Sequence, residues 1–167
     1  MQVTPGTWNP TALGDTVRFT ALATSLLRRP IPDLPITWSS DAPGIVFVGA
    51  DGLAIAHENG VAQVRATIDG VTGTAPVNVV QTIESVVILT YFGNTIPAVG
   101  DSIFLYVDAR DRNAVSVPGA TFTLQSLHPG VATVTLTGWV KGLSPGVADI
   151  VALAAGKADT APVLVAP

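Results

Sequence analysis

The chain has 167 residues, enough for one large domain or two small ones, with 48% apolar residues but only 12% charged ones, about half the usual share of a soluble domain. Net charge is −4 with no block of like charges, which excludes a basic footprint for nucleic acid, and the absence of cysteine excludes disulfides and thiolate metal sites while suiting an exported bacterial protein. So few charges imply that part of the outer surface is covered by something else.

In chain order, Met1-Gln2-Val3-Thr4 lacks the basic start and apolar stretch of a signal peptide, so either a leader was removed or Met1 was added. Val17, Phe19, Ala21 and Ala23 alternate with polar or neutral neighbours, the mark of a strand with one buried face. Leu26-Leu27-Arg28-Arg29-Pro30 follows in a connection, where a soluble loop is normally polar. Two leucines and two arginines suit a protein groove or a membrane surface, unless the leucines tuck under the sheet. A strand around Trp38 comes next, then the turn signals Asp51-Gly52 and Asn59-Gly60, an alternating Ala62, Val64, Ala66, Ile68, and another turn at Asp69-Gly70.

From Val86 the plan starts again. Val86 to Phe92 is the most apolar run and falls far short of the roughly 20 residues of a spanning helix. Its end, Tyr91-Phe92, puts adjacent aromatics on opposite faces of a strand, so one is exposed unless a partner covers it. Ile103, Leu105, Val107 and Ala109 alternate, as do Ala148, Ile150, Ala152 and Ala154. A shift of 86 positions lays one half on the other without a gap: Gly14-Asp15 on Gly100-Asp101, Pro43-Gly44 on Pro129-Gly130, Gly52 on Gly138, Gly60-Val61-Ala62 on Gly146-Val147-Ala148, Thr74-Ala75-Pro76-Val77 on Thr160-Ala161-Pro162-Val163. The expectation is an all-β chain of two tandem immunoglobulin-like β-sandwich domains, 1–81 and 82–167, with about seven strands each.

Gly14-Asp15-Thr16, Ile36-Thr37-Trp38-Ser39-Ser40-Asp41, Asp51-Gly52-Leu53, Asn59-Gly60-Val61-Ala62 and Ala75-Pro76-Val77-Asn78-Val79 together resemble the bacterial immunoglobulin-like group 2 domain (BIG2 type). The second copy departs at the signature strand, reading Phe122-Thr123-Leu124-Gln125-Ser126, and its Asp108 to Asn113 loop resembles that of invasin-type domains. The resemblance implies a sandwich fold but leaves function open, because such domains occur in adhesins, surface enzymes, virions and periplasmic proteins. Trp38 is expected between the sheets as the largest core element of the first copy. Leu124 is expected in its place in the second, with Phe122 replacing Ile36 on the other face.

No catalytic residue is assigned. Gly142-Leu143-Ser144-Pro145-Gly146 matches a nucleophile-elbow spacing, but the Val147-Ala148-Asp149-Ile150 that follows reads as a strand where an elbow needs a helix. His57 and His128, the two histidines, occupy different places in the repeats and read as loop residues. Asp108, Asp111 and Asn113 are weak candidates for calcium, opposed by Arg110 and Arg112 between them, and no cofactor is expected. Asp15 and Asp101 read as turn formers that bond backbone amides. The interaction candidates are Leu26, Leu27, Arg28, Arg29, Tyr91, Phe92, Trp8 and Trp139, each tryptophan being either edge packing or an anchor.

The reading is a non-enzymatic structural or protein-interaction module outside the cytoplasm, in the periplasm or at the cell surface. Its expected partners are other proteins, subunits of a larger assembly, with peripheral membrane contact and neither nucleic acid nor a transmembrane segment. A membrane-extrinsic scaffold subunit is preferred. The alternatives are a spacer or adhesive fragment of a surface protein, a virion or filament subunit, and a carbohydrate-binding module, for which the scattered aromatics promise a poor platform.

Overall fold

Side chains that alternate inward and outward along a strand bury one face, and that alternation runs through both halves. The computed structural model describes residues 1–25, 27, 29–32, 34–91 and 93–167, and every regular element among them is a β-strand. The chain divides into two compact units, Met1–Thr82 and Ile83–Pro167.

Unit 1 contains β1 (Gln2–Thr4), β2 (Thr16–Arg18), β3 (Thr20–Thr24), β4 (Pro30–Ile31), β5 (Thr37–Ser40), β6 (Val46–Val48), β7 (Leu53–Ala56), β8 (Gly60–Ile68) and β9 (Val71–Val79). They form the sheets β1-β3-β4, β2-β7-β6 and β5-β8-β9. All three contribute to one core: Val3 from the first, Val46, Ala54 and Ala56 from the second, Ala62, Val64, Ala66, Ala75 and Val77 from the third, with Phe19 among them. Unit 2 contains β10 (Ser85–Leu89), β11 (Thr95–Ile96), β12 (Ser102–Phe104), β13 (Tyr106–Arg110), β14 (Thr123–Ser126), β15 (Ala132–Val134), β16 (Trp139–Gly142), β17 (Gly146–Ala154) and β18 (Lys157–Val165). Here the sheets are β10-β13, β12-β16-β15 and β11-β18-β17-β14.

The 86-residue repeat extends to individual backbone hydrogen bonds. Gly14 N–H donates to the Ala56 carbonyl at 2.7 Å, and Gly100 N–H to that of Gly142 at 2.9 Å. Phe19 N–H donates to the Gly52 carbonyl at 2.8 Å, and Leu105 N–H to that of Gly138 at 2.9 Å. This last bond breaks what the sequence presents as one strand. Val17 to Ala23 reads as continuous, yet β2 pairs with β7 and β3 with β1, so the chain crosses between sheets at Phe19. Ile103 to Ala109 does the same at Leu105, with β12 on β16 and β13 on β10. Gly52 and Gly138 have φ of +78° and +95°, and a Cβ on either would collide with the Phe19 or Leu105 carbonyl oxygen. Their match across the repeat therefore reflects steric necessity.

Two expectations about the core need correction. The largest fully buried side chain of unit 1 is Phe19; Trp38 is only partly buried, its ring 6.2 Å from that of Phe19. The reason is that β5 is an edge strand, leaving one side of the indole uncovered. Phe122 and Leu124 do not lie on opposite faces: Phe122 immediately precedes β14, and both side chains pack against the core of unit 2.

Unit 2 has a further tie between sheets. The Asp159 carboxylate on β18 accepts the Ile88 amide of β10 at 2.8 Å, and Lys157 pairs with Glu84 at 2.9 Å. At the position matching Asp159, unit 1 has Gly73, where a Cβ would already press on Val3.

Candidate interaction surface

The aromatic residues expose what distinguishes the units. In unit 2, Trp139 on β16 stands opposite Phe104 on β12, and the rings meet edge to face at 5.4 Å and 63°. Tyr106, at the start of β13, approaches Tyr91 in the turn after β10, at 6.3 Å and 52°. Phe104 and Tyr106 line one cavity, which joins the two ring pairs into a single surface. Tyr91 is 72% exposed, Trp139 52%, and Leu136 beside the cavity 76%. Steeply inclined rings make an apolar, irregular surface, not the flat platform on which a sugar stacks. The sequence scatters these aromatics from position 91 to 139, and strand pairing gathers them.

Unit 1 has different chemistry at the same corner. Where unit 2 has Phe104 and Thr137, unit 1 has Arg18 and Asp51, which form an exposed ion pair at 2.9 Å. Asp51 also accepts the Leu53 amide, and that bond, with help from Arg18, holds its carboxyl below the ordinary value despite some opposing desolvation. Trp8 belongs to the packing alternative: its ring meets Phe19 edge to face at 6.4 Å, and its backbone bridges in parallel to Val77. Trp139 remains exposed.

Leu26, Arg28 and Phe92 lie outside the described residues. Leu27 is 80% exposed, in a turn closed by the Ser25 amide on the Arg29 carbonyl at 2.9 Å and the Arg29 amide on Ser25 Oγ at 3.2 Å. The leucine-arginine segment thus offers Leu27 and Arg29 to solvent.

The calcium candidates are used locally. Asp111 is 2% exposed, and its Oδ1 accepts the amides of Asn113 and Val115, both at 3.0 Å. Asp108 accepts Arg110 Nε at 2.8 Å and Ser116 Oγ at 2.7 Å. Burial by itself raises the Asp108 pKa, but these hydrogen bonds and the Arg110 charge outweigh it and hold the carboxyl below its usual value. Among the described residues no group of three or more His, Asp or Glu side chains is placed to hold a metal.

The remaining motif residues are also structural. Ser144 Oγ donates to the Gly130 carbonyl at 2.8 Å, in the turn that enters β17. His57 stacks on Phe47 at 6.3 Å, His128 accepts the Asp149 amide at 3.3 Å, and Asp15 accepts the amides of Thr11 and Ala12. The described residues include no helix long and apolar enough to cross a membrane.

A second surface was missed by sequence reasoning. Outward positions of β17 and β18 and the adjoining turn carry Val147, Leu153, Leu164 and Leu127, all exposed. The matching positions of unit 1 are Val61, Thr67, Asn78 and Asp41. Comparing the outward half of each alternating strand across the repeat would have found it.

No protein-family model matches the chain, and no curated protein matches it. Among solved structures, invasin, a bacterial integrin-binding protein, is similar over 99% of this chain and 39% of its own, at 16% identity and a TM-score of 0.56. Domains 4 and 5 of the S-layer protein SbsC match 91% of this chain and 82% of theirs, at 21% identity and a TM-score of 0.48. The Yersinia pseudotuberculosis adhesin InvE matches 98% and 57%, at 17% identity and 0.44. The chain spans well under half of the invasin structure and 23% of the SbsC structure of domains 1–6. The all-β, immunoglobulin-like sandwich expected from the repeat is the fold that this chain shares with invasin.

Proposed function

We propose that the chain is a non-enzymatic protein-binding module of a bacterial surface protein, built from two tandem BIG2-type domains, 1–81 and 82–167, and acting outside the cytoplasm. The observation that carries this reading is the aromatic surface of unit 2. Tyr91, Phe104, Tyr106 and Trp139 stand where unit 1 has Pro5, Arg18, Thr20 and Leu53, so a shared frame does not require them. Exposed aromatics grouped in one place are the usual composition of a binding hot spot. The fold shared with an integrin-binding protein is compatible with an adhesive role.

A second reading, a scaffold subunit inside a larger extracytoplasmic assembly, draws support from the apolar outer face of β17 and β18. The test is to coat beads with the full chain and measure capture of proteins from the native envelope and from candidate host surfaces. The variant Tyr91→Pro, Phe104→Arg, Tyr106→Thr, Trp139→Leu, which restores the unit 1 residues, is expected to lose capture while keeping its circular dichroism spectrum. Undiminished capture by the folded variant would refute the aromatic surface as the binding site.

A further inference from the structure

The aromatic corner of unit 2 holds a half-open pocket of about 160 Å³, with Leu105, Val107, Phe122 and Leu124 lining it and Tyr106 and Leu136 exposed at its edge. The repeat reveals what fits there. In unit 1, Trp38 stands at the position of Leu124, and its Nε1 and Cε2 atoms lie 3.2 Å from where a Cβ on Gly52 would be. Phe19, the counterpart of Leu105, packs against that indole. In unit 2 the Phe104 ring covers Gly138 as Trp38 covers Gly52, and Phe122 stands for Ile36. Leu105 and Leu124 are smaller than Phe19 and Trp38, however, and a half-open pocket remains beside them.

A sealed apolar cavity of roughly 150 Å³ is large enough to accept benzene, so a half-open pocket of this volume suits one aromatic ring system whose edge stays at the opening. No charged side chain lines the cavity, and the Tyr106 and Thr137 hydroxyls are its polar side-chain groups. Those suit an indole N–H and are too few for a sugar. The apolar surface continues past the cavity through Leu136, Trp139 and Tyr91, further than a free small molecule reaches.

We propose that this pocket receives an aromatic side chain, of indole size, presented by a protein partner, in the space left where Leu105 and Leu124 stand for Phe19 and Trp38. The proposal deepens the protein-binding reading and rests on it.

The probes are N-acetyltryptophanamide, which carries a side chain on backbone amides, and free indole. Each is titrated into the full chain while the methyl resonances of Leu105, Val107 and Leu124 are followed by NMR. Both are expected to shift those methyls saturably. Leu124→Trp, which fills the cavity from within, is expected to raise the melting temperature and weaken both probes about tenfold or more. Leu136→Asp, at an exposed edge, keeps the fold and is expected to weaken both about threefold or more by placing charge at the opening.

Absence of saturable shifts overturns the proposal, as does undiminished binding to both variants. Indole binding without N-acetyltryptophanamide binding also overturns it, because the cavity would then admit only a free molecule. If Leu124→Trp captures the partner as the parent does, while the four-residue surface variant does not, the protein-binding reading survives and the role of the cavity falls.

Discussion

Trp8, Phe19 and Trp38 all pack into the core region of unit 1, whereas the matching positions of unit 2 hold Asn94, Leu105 and Leu124. Unit 2 packs Phe122 against its core and has further rings at Tyr91, Phe104, Tyr106 and Trp139, of which Tyr91, Tyr106 and Trp139 are exposed. The outer faces diverge in the same sense: Asp41, Arg65, Thr67 and Asn78 in unit 1 correspond to Leu127, Val151, Leu153 and Leu164 in unit 2. Turn glycines and alternating small apolar residues are common to both, so they specify the frame, and the aromatic rings are free to serve either packing or display. One copy carries the more aromatic interior and the other displays more of its rings.

The comparison breaks hardest at the turn glycines. Gly52→Ala and Gly138→Ala are each expected to destabilise their unit by about 3 kcal/mol or more, because the new Cβ meets a backbone carbonyl that cannot rotate away. Calorimetry of the full chain would check this, and a loss confined to one of the two variants would mean that the units do not share the constraint. Next in size, Trp38→Leu gives unit 1 the residue of unit 2 and is expected to cost about 2 kcal/mol in urea unfolding. It should also create an indole-binding cavity in unit 1; an unchanged stability would show that the partly exposed ring contributes little.

The smallest effect is a pH dependence in unit 2. Asp108 has a lowered folded pKa, so its contribution is complete above the ordinary carboxylate value of 3.8 and is lost as pH falls through the folded value. Asp108→Asn is therefore expected to cost about 1 kcal/mol at pH 7 and progressively less below pH 3.8, measured by urea unfolding. An equal cost at pH 2 and pH 7 would mean that charge is not what the Arg110 and Ser116 contacts stabilise.

Much of the frame was legible in the sequence because turn chemistry and a period of two are local signals. Asp69-Gly70 and its counterpart Ala155-Gly156 illustrate this: all four residues have positive φ, as a tight hairpin of right-handed strands demands. The crossing at Phe19 and Leu105 was not legible, since the inward alternation continues through it and only the amide changes partner. The aromatic surface was legible residue by residue but not as a whole. Tyr91 and Trp139 stood out singly, while Phe104 and Tyr106 were hidden inside an alternating strand. Their association depends on Phe104 pairing with Trp139 and Leu89 with Tyr106. Pairings between residues so far apart in the chain leave no mark in composition. For Trp8 the sequence left edge packing and an anchor both open, because its neighbour Phe19 comes from another part of the chain.

Asp159 has a consequence for how such chains crowd together. Exposed amides along a sheet border invite a neighbour's strand to extend the sheet, the usual start of runaway polymerisation. At Ile88 that invitation is withdrawn, since a carboxylate of the same unit already holds the amide and a lysine-glutamate pair stands beside it. At this point on β10 a neighbour's strand finds the amide already taken, so pairing there would first have to displace the carboxylate.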